Sequence, residues 1–277
     1  MLIVIFISLN SAIGLFAQMS SAKWRVTEVE GDSLLSREDY PHALVKYNQA
    51  MDVSKLKDTE SKRLLYKRAI CYYSLQDFQK ALDDLNAFIP YYPSFPRAKF
   101  LRVLVNGELG NTQAQFDDIH ELELLEPGSP DILSLKVNIY LEAEQYDSAK
   151  VELLRLQRIN DDEETETQLG FVYYNLEDAD SAFVHFDRAI TLNENYAPAY
   201  VYMSSLCLEQ EAYAMTLMYV DRGLLLDPQS KQLLFYKGIA LAESEKLEAG
   251  CSILAKLFYE GFDQAGDYLK QHCYGID

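Results

Sequence analysis

Four cysteines and four histidines could serve as nucleophiles, proton carriers or soft metal ligands, and their spacing argues against all three roles. Among Cys71, Cys207, Cys251 and Cys273 no pair has CxxC spacing and no histidine stands beside a pair, as a zinc site would require. His42, His120, His185 and His272 are scattered, without an HExxH pattern, and solvated or partly packed helix positions account for them. The run Asp161-Asp162-Glu163-Glu164 has the oxygens for calcium but lacks the alternating ligands and central glycine of an EF-hand loop. It reads instead as the cap of a following helix, where acidic groups meet the positive end of the dipole. There is no GxxxxGK phosphate loop, no GxGxxG after a strand and no GxSxG elbow. The expectation is a chain with no catalytic residues, no cofactor, no metal and no evident small-molecule substrate.

What such a chain positions is a surface, and composition says what kind of elements carry it. Hydrophobic residues make up 49% and charged residues 25% of 277, enough apolar surface to fold. Twelve glycines and eight prolines are few interruptions, and abundant Leu, Ala, Glu and Tyr favour helices over a sandwich of short strands. A formal charge of −18 repels phosphate backbones and anionic lipid, which removes nucleic acid from the candidate partners.

Residues Leu2 to Phe16 form an uncharged, mostly apolar run, followed by Ala17 and then by Ser20, Ser21 and Ala22. That is the grammar of a signal peptide over 1–22, with cleavage after Ala17 or Ala22. The run is shorter than the ~20 apolar residues that span a bilayer, and no Lys or Arg precedes it. Membrane contact is expected only through this segment, if it stays uncleaved. No cysteine follows it, so an acylated lipoprotein is not indicated.

Beyond it a repeat runs through the chain. Gly31, Ala43, Tyr47 and Ala50 set a spacing that Gly170, Ala182, Phe186 and Ala189 reproduce. Ala69, Ala81, Leu85 and Phe88 follow the same offsets and close at Pro93; Val137, Ala149, Leu153 and Leu156 follow them too. Weaker matches pass through Val103, Ile119 and Leu122, through Ser204, Val220 and Gly223, and through Gly238, Leu254 and Leu257. Unit starts near 24, 62, 96, 130, 163, 197 and 231 leave intervals of 34 or 33 except for a first interval of 38.

This phase-locked pattern of small, small, bulky and proline resembles the tetratricopeptide repeat family. The resemblance implies an all-α, right-handed superhelical solenoid of about seven helix-turn-helix repeats over 24–264. Small residues let paired helices approach, and Tyr47, Leu153 and Phe186 are expected to fill the space between neighbours at roughly 1.5–3 kcal/mol each. The extra residues within Lys55 to Ser61 imply an extended helix or a loop. Gln115, Thr216 and Gly250 replace the expected Ala and imply altered packing.

A repeat array needs its last apolar face covered, and 265–277 reads as a capping helix and tail, with Tyr268 and Leu269 as its apolar residues. If the cap runs back against the preceding helix, Cys251 and Cys273 come together. A disulfide there would suit an exported protein and stabilise by roughly 3 kcal/mol; two packed thiols are the other reading. Cys71 and Cys207 are several repeats apart and read as core.

In the family the first helices line a concave groove that holds extended peptides or helices. The second, fifth, ninth, twelfth and thirteenth positions of each unit give the expected lining: Arg63, Tyr66, Ile70 and Tyr73, then Arg97, Phe100 and Leu104, then Asn138. Phe171, Tyr174 and Asn175 follow, and then Phe235 and Ile239. Aromatic and Arg side chains tend to dominate binding energy. Glu28 and Asp32 stand where the family's clamp for acidic chaperone tails would place Lys and Asn, so that ligand is not expected. The expected function is a non-enzymatic scaffold or adaptor that holds a protein or peptide in the groove, in the periplasm or secreted. The alternatives are a structural component of an envelope complex using its outer surface and ends, and an enzyme accessory subunit.

Overall fold

The computed structural model describes residues 23–56, 59–244 and 246–273; the expected signal peptide lies outside them, as does the end of the tail. Two compact units divide at Ser129 and Pro130. The first contains α1 (23–35), α2 (Tyr40–Ser54), α3 (Arg63–Ser74), α4 (Phe78–Phe88), α5 (Pro96–Glu108) and α6 (Thr112–Leu125), with a 3-10 turn at Glu60–Lys62. The second contains α7 (Pro130–Glu142), α8 (Tyr146–Gln157), α9 (Glu163–Asn175), α10 (Ala179–Leu192), α11 (Ala197–Glu209), α12 (Tyr213–Leu226), α13 (Lys231–Glu243) and α14 (Leu247–Tyr259). It ends with α15 (Gln264–Tyr268) and a π-helical turn over Leu269–Cys273, so the expected cap is a short helix that widens in its last turn.

Each odd-numbered helix up to α13 turns into its partner through the same closure. The amide of Asp77 donates to the carbonyl of Tyr72 at 2.8 Å, and equivalent bonds are made by Asp39, Asn111, Gln145, Asp178, Ala212 and Lys246. The residue before takes the left-handed conformation at Glu38, Gln76, Glu144, Glu177 and Glu211. A side chain there is strained, and only Gly110 meets the demand without cost. The recurrence of this turn fixes the pairing α3 with α4, α5 with α6 and onward.

Within a pair, one small residue faces one large one. A Cβ on Gly31 would lie 2.7 Å from the Tyr47 ring, and one on Gly170 would lie 2.5 Å from that of Phe186. Tyr47, Leu153 and Phe186 are fully buried. The three substituted positions each find their own solution. Gln115 Nε2 donates to the Val103 carbonyl at 3.1 Å, and Thr216 Oγ1 donates to that of Ala212 at 3.2 Å. Gly250 permits the tightest approach, since a Cβ there would meet Gly238 O at 2.4 Å.

α2 is not extended: it ends at Ser54, where Lys55 and Leu56 turn left-handed. Each of α4, α6 and α12 ends two residues before a proline, at Pro90, Pro127 and Pro228; it is Pro90, not the Pro93 of the repeat pattern, that follows α4 at this distance. Ion pairs within helix pairs add to the apolar core of each unit. Arg68 Nε donates to Asp84 at 2.7 Å, Arg102 Nε to Asp118 at 2.8 Å, and Lys136 Nζ pairs with Glu152 at 2.6 Å. Asn48 and Asn86 accept a further bond from Arg68 and Arg102.

At the C-terminal end Cys251 and Cys273 form a disulfide with Cα atoms 5.7 Å apart, fastening the last turn to α14. Cys71 and Cys207 are buried free thiols, pushed by desolvation to about 12 and about 11.

Candidate partner-binding site

In the first unit the expected groove residues are largely committed to the chain itself. Arg63 donates through Nε and Nη2 to the buried Glu28 carboxylate, at 2.7 and 2.5 Å, so it is no free cation. Its pKa is held up by that bond. Lys67 joins the same carboxylate at 2.7 Å and also bonds Asp32, which accepts in turn from the Tyr47 hydroxyl. Glu28 and Asp32 therefore tie α1 to α3. The Tyr66 ring is wedged between Phe88 and Phe95, with centroids 5.5 and 5.0 Å away. Tyr73 packs on Phe78, and Ile70 on the same core. Phe100 and Leu104 are half-buried, and Arg97 is exposed.

The second unit differs. Asn138 is exposed, and the Asn175 amide is spent on the Phe171 carbonyl at 2.8 Å. Phe235 and Ile239 pack into the C-terminal cluster, where the Phe235 and Phe262 rings lie 5.4 Å apart. Phe171 and Tyr174 open on a cavity of about 270 Å³. Spacings of three and four put each contribution on one helix face: Phe171 and Tyr174 from α9, Tyr202 and Ser205 from α11, Gln232 and Tyr236 from α13. Val201 and the Phe186 ring complete the wall.

Tyr202 stacks on Phe186 at 5.5 Å and is tilted against Phe171 at 5.6 Å. Tyr174 donates its hydroxyl to Glu209; burial and that carboxylate together push its pKa up to about 12. The cavity thus offers aromatic faces, two further phenol hydroxyls, a serine hydroxyl and an amide.

Val201, Ser205 and Gln232 occupy groove positions of the repeat, but their modest side chains gave no signal. Tyr202 and Tyr236 sit one residue past the fifth position, outside the counted set; their aromatic type in two successive units was the available clue.

Other polar clusters bind the chain to itself. Glu166 is fully buried, with His185 Nδ1 at 2.7 Å and Arg188 Nε at 2.9 Å. Asp162 caps α9, accepting from the Thr165 amide at 2.8 Å. Among the described residues no group of three or more His, Cys, Asp or Glu is placed to hold a metal, and no helix is long and apolar enough to cross a membrane.

No protein-family model matches this chain, and no curated protein sequence does. Solved structures do. The C-terminal part of a TPR repeat-containing protein from Cytophaga hutchinsonii is 13% identical with a TM-score of 0.71, over 87% of this chain and 98% of that one. A tetratricopeptide repeat protein from Parabacteroides merdae is 14% identical with a TM-score of 0.67, over 89% and 97%. PilW, a widely conserved type IV pilus biogenesis factor, is 11% identical with a TM-score of 0.62, over 75% and 98%. At such identities the likeness is one of architecture: the chain has the tetratricopeptide-repeat fold.

Proposed function

We propose that this chain of tetratricopeptide-repeat fold is a non-enzymatic interaction protein that receives a side chain of a partner polypeptide in the cavity of its second unit. The cavity itself carries the reading. At about 270 Å³ it lies below the roughly 300–1,000 Å³ of sites that enclose a drug-sized ligand or cofactor, and suits one large side chain. Its walls are Tyr and Phe, which anchor interfaces with little loss of rotamer freedom. Its polar groups recognise and orient; the nearby carboxylate, Glu209, is engaged by Tyr174.

The periplasm is the compartment we favour. The uncharged apolar run ahead of Ala17 reads as an export signal, and the Cys251–Cys273 disulfide suits an oxidising setting. PilW, a type IV pilus biogenesis factor, is one protein of similar architecture.

A second reading has its own observation. On α12, Met218 and Leu225 are exposed and shared by two surface clefts of about 510 and 540 Å³, a face on which a fixed complex could seat.

The two readings separate by substitution. Partners captured from envelope extract and then purified should bind Tyr202→Ala about 30-fold more weakly, the loss of a single hot spot of ~2 kcal/mol, with the melting curve of the chain little changed. Binding that survives Tyr202→Ala and fails in Met218→Asp would assign the contact to the outer face.

A further inference from the structure

Resting on the reading that the cavity of the second unit receives a side chain, we propose that its occupant is a large apolar or aromatic residue flanked by Lys or Arg. The apolar half of this requirement follows from Phe171, Phe186 and Tyr202, whose rings leave room for one more flat or branched side chain. The cationic half follows from the charges that surround those rings.

Neither α9 nor α11 carries a Lys or Arg. The two lysines of α13 are already used: Lys231 Nζ donates to the Glu260 carbonyl at 2.8 Å, and Lys237 pairs with Asp221 at 2.6 Å. Glu209, at the end of α11, is exposed and takes a neutral hydrogen bond from Tyr174, and among the described residues no basic side chain pairs with it. Toward the start of α9, Glu163 is held by the Asn193 amide at 2.7 Å, and with Glu164 it lies near Tyr196, itself a neighbour of Tyr202.

Glu209, bonded to the cavity's own Tyr174, is therefore a carboxylate with a neutral partner at the cavity, and Glu163 is a second such carboxylate further along α9. The wider field has the same sign, since residues 130–277 hold 26 Asp or Glu against 11 Lys or Arg. Such a field draws basic segments in and rejects acidic ones. An apolar residue bordered by carboxylates would leave two sets of like charges facing each other; the same residue bordered by Lys meets Glu209 at the rim.

The test is selection of random peptides on the full chain, run in parallel on Tyr202→Ala and Glu209→Gln, followed by titration with two synthetic peptides carrying Lys-Trp-Lys or Ser-Trp-Ser. Enriched sequences should pair an aromatic or large aliphatic residue with an adjacent Lys or Arg. Glu209→Gln should weaken the Lys-Trp-Lys peptide about fivefold more than it weakens the Ser-Trp-Ser peptide, as expected for one rim charge. Enrichment of aromatic residues with neutral or acidic flanks would overturn this inference and leave the cavity reading intact. Peptides that bind Tyr202→Ala as well as the parent would overturn the cavity reading, and an absence of any enrichment would overturn both.

Discussion

Residues 1–129 hold 14 Lys or Arg against 17 Asp or Glu, and residues 130–277 hold 11 against 26. The first unit turns its charges on one another, as Glu28, Arg63, Lys67 and Asp32 illustrate, and closes its aromatic rings into a packed group around Phe88. The second leaves carboxylates over, and its rings, though also in contact, frame an open cavity. Equivalent positions show the difference most directly. Ile70 and Tyr73 on α3 are partly buried against a core cluster, whereas Phe171 and Tyr174 on α9, also partly buried, line a cavity, with Tyr174 hydrogen-bonded to a carboxylate. One repeat can thus serve as support or as a recognition surface, depending on what fills the neighbouring positions.

The contrast predicts separable failures. Asp118 is buried beneath Arg102, and Asp118→Ala leaves that guanidinium without its partner, a loss of about 3 kcal/mol. Hydrogen exchange should accelerate in α5 and α6 while α13 and α14 stay protected and peptide binding persists. Equal acceleration in both units would break the comparison. A slightly smaller effect is expected at the other end. Opening the disulfide by Cys251→Ser releases a loop spanning a sequence separation of 22, roughly 3 kcal/mol at most, and should loosen α15 and the π turn without touching α3 or α4. Exchange measured with and without reductant on the parent chain checks the same point independently.

The helices were readable in the sequence because close approach demands small residues and fills the opposing site with a large one, which leaves a mark at fixed spacing, as at Gly31 and Tyr47. The turns left no such mark, since nothing in Gln76 or Glu177 announces a left-handed backbone. The pairs Arg68–Asp84, Arg102–Asp118 and Lys136–Glu152 were invisible, since a charge on a helix reads as solvated until its partner on the paired helix is known. The same ignorance made Arg63 look available. Of the eight residues around the cavity, Phe171 and Tyr174 could be read as groove residues. The remainder was missed because Tyr202 and Tyr236 come from helices further along the chain, and their convergence depends on how α9, α11 and α13 pack.

The smallest effect concerns acid, and it tests whether the charges of the first unit support its fold. Burial pushes the pKa of Glu28 upward, but the hydrogen bonds and charges of Arg63 and Lys67 outweigh it and hold the carboxyl below its ordinary 4.5. A carboxylate with a depressed folded-state pKa contributes stability that is complete above the unfolded value and drains away as pH falls through the folded one. Between neutral pH and about 4.5 the contribution should therefore be constant, and below 4.5 it should decline. Because Arg63 is partly exposed, the contribution is put at about 1–2 kcal/mol. Urea unfolding of the parent and of Glu28→Gln, followed by exchange or fluorescence near Trp24, should show that gap at pH 7 and a narrower one at pH 3. A gap that stays constant across this range would mean that Glu28 acts through its shape and neutral hydrogen bonds, and that the charges of this cluster add nothing to the closure of the first unit.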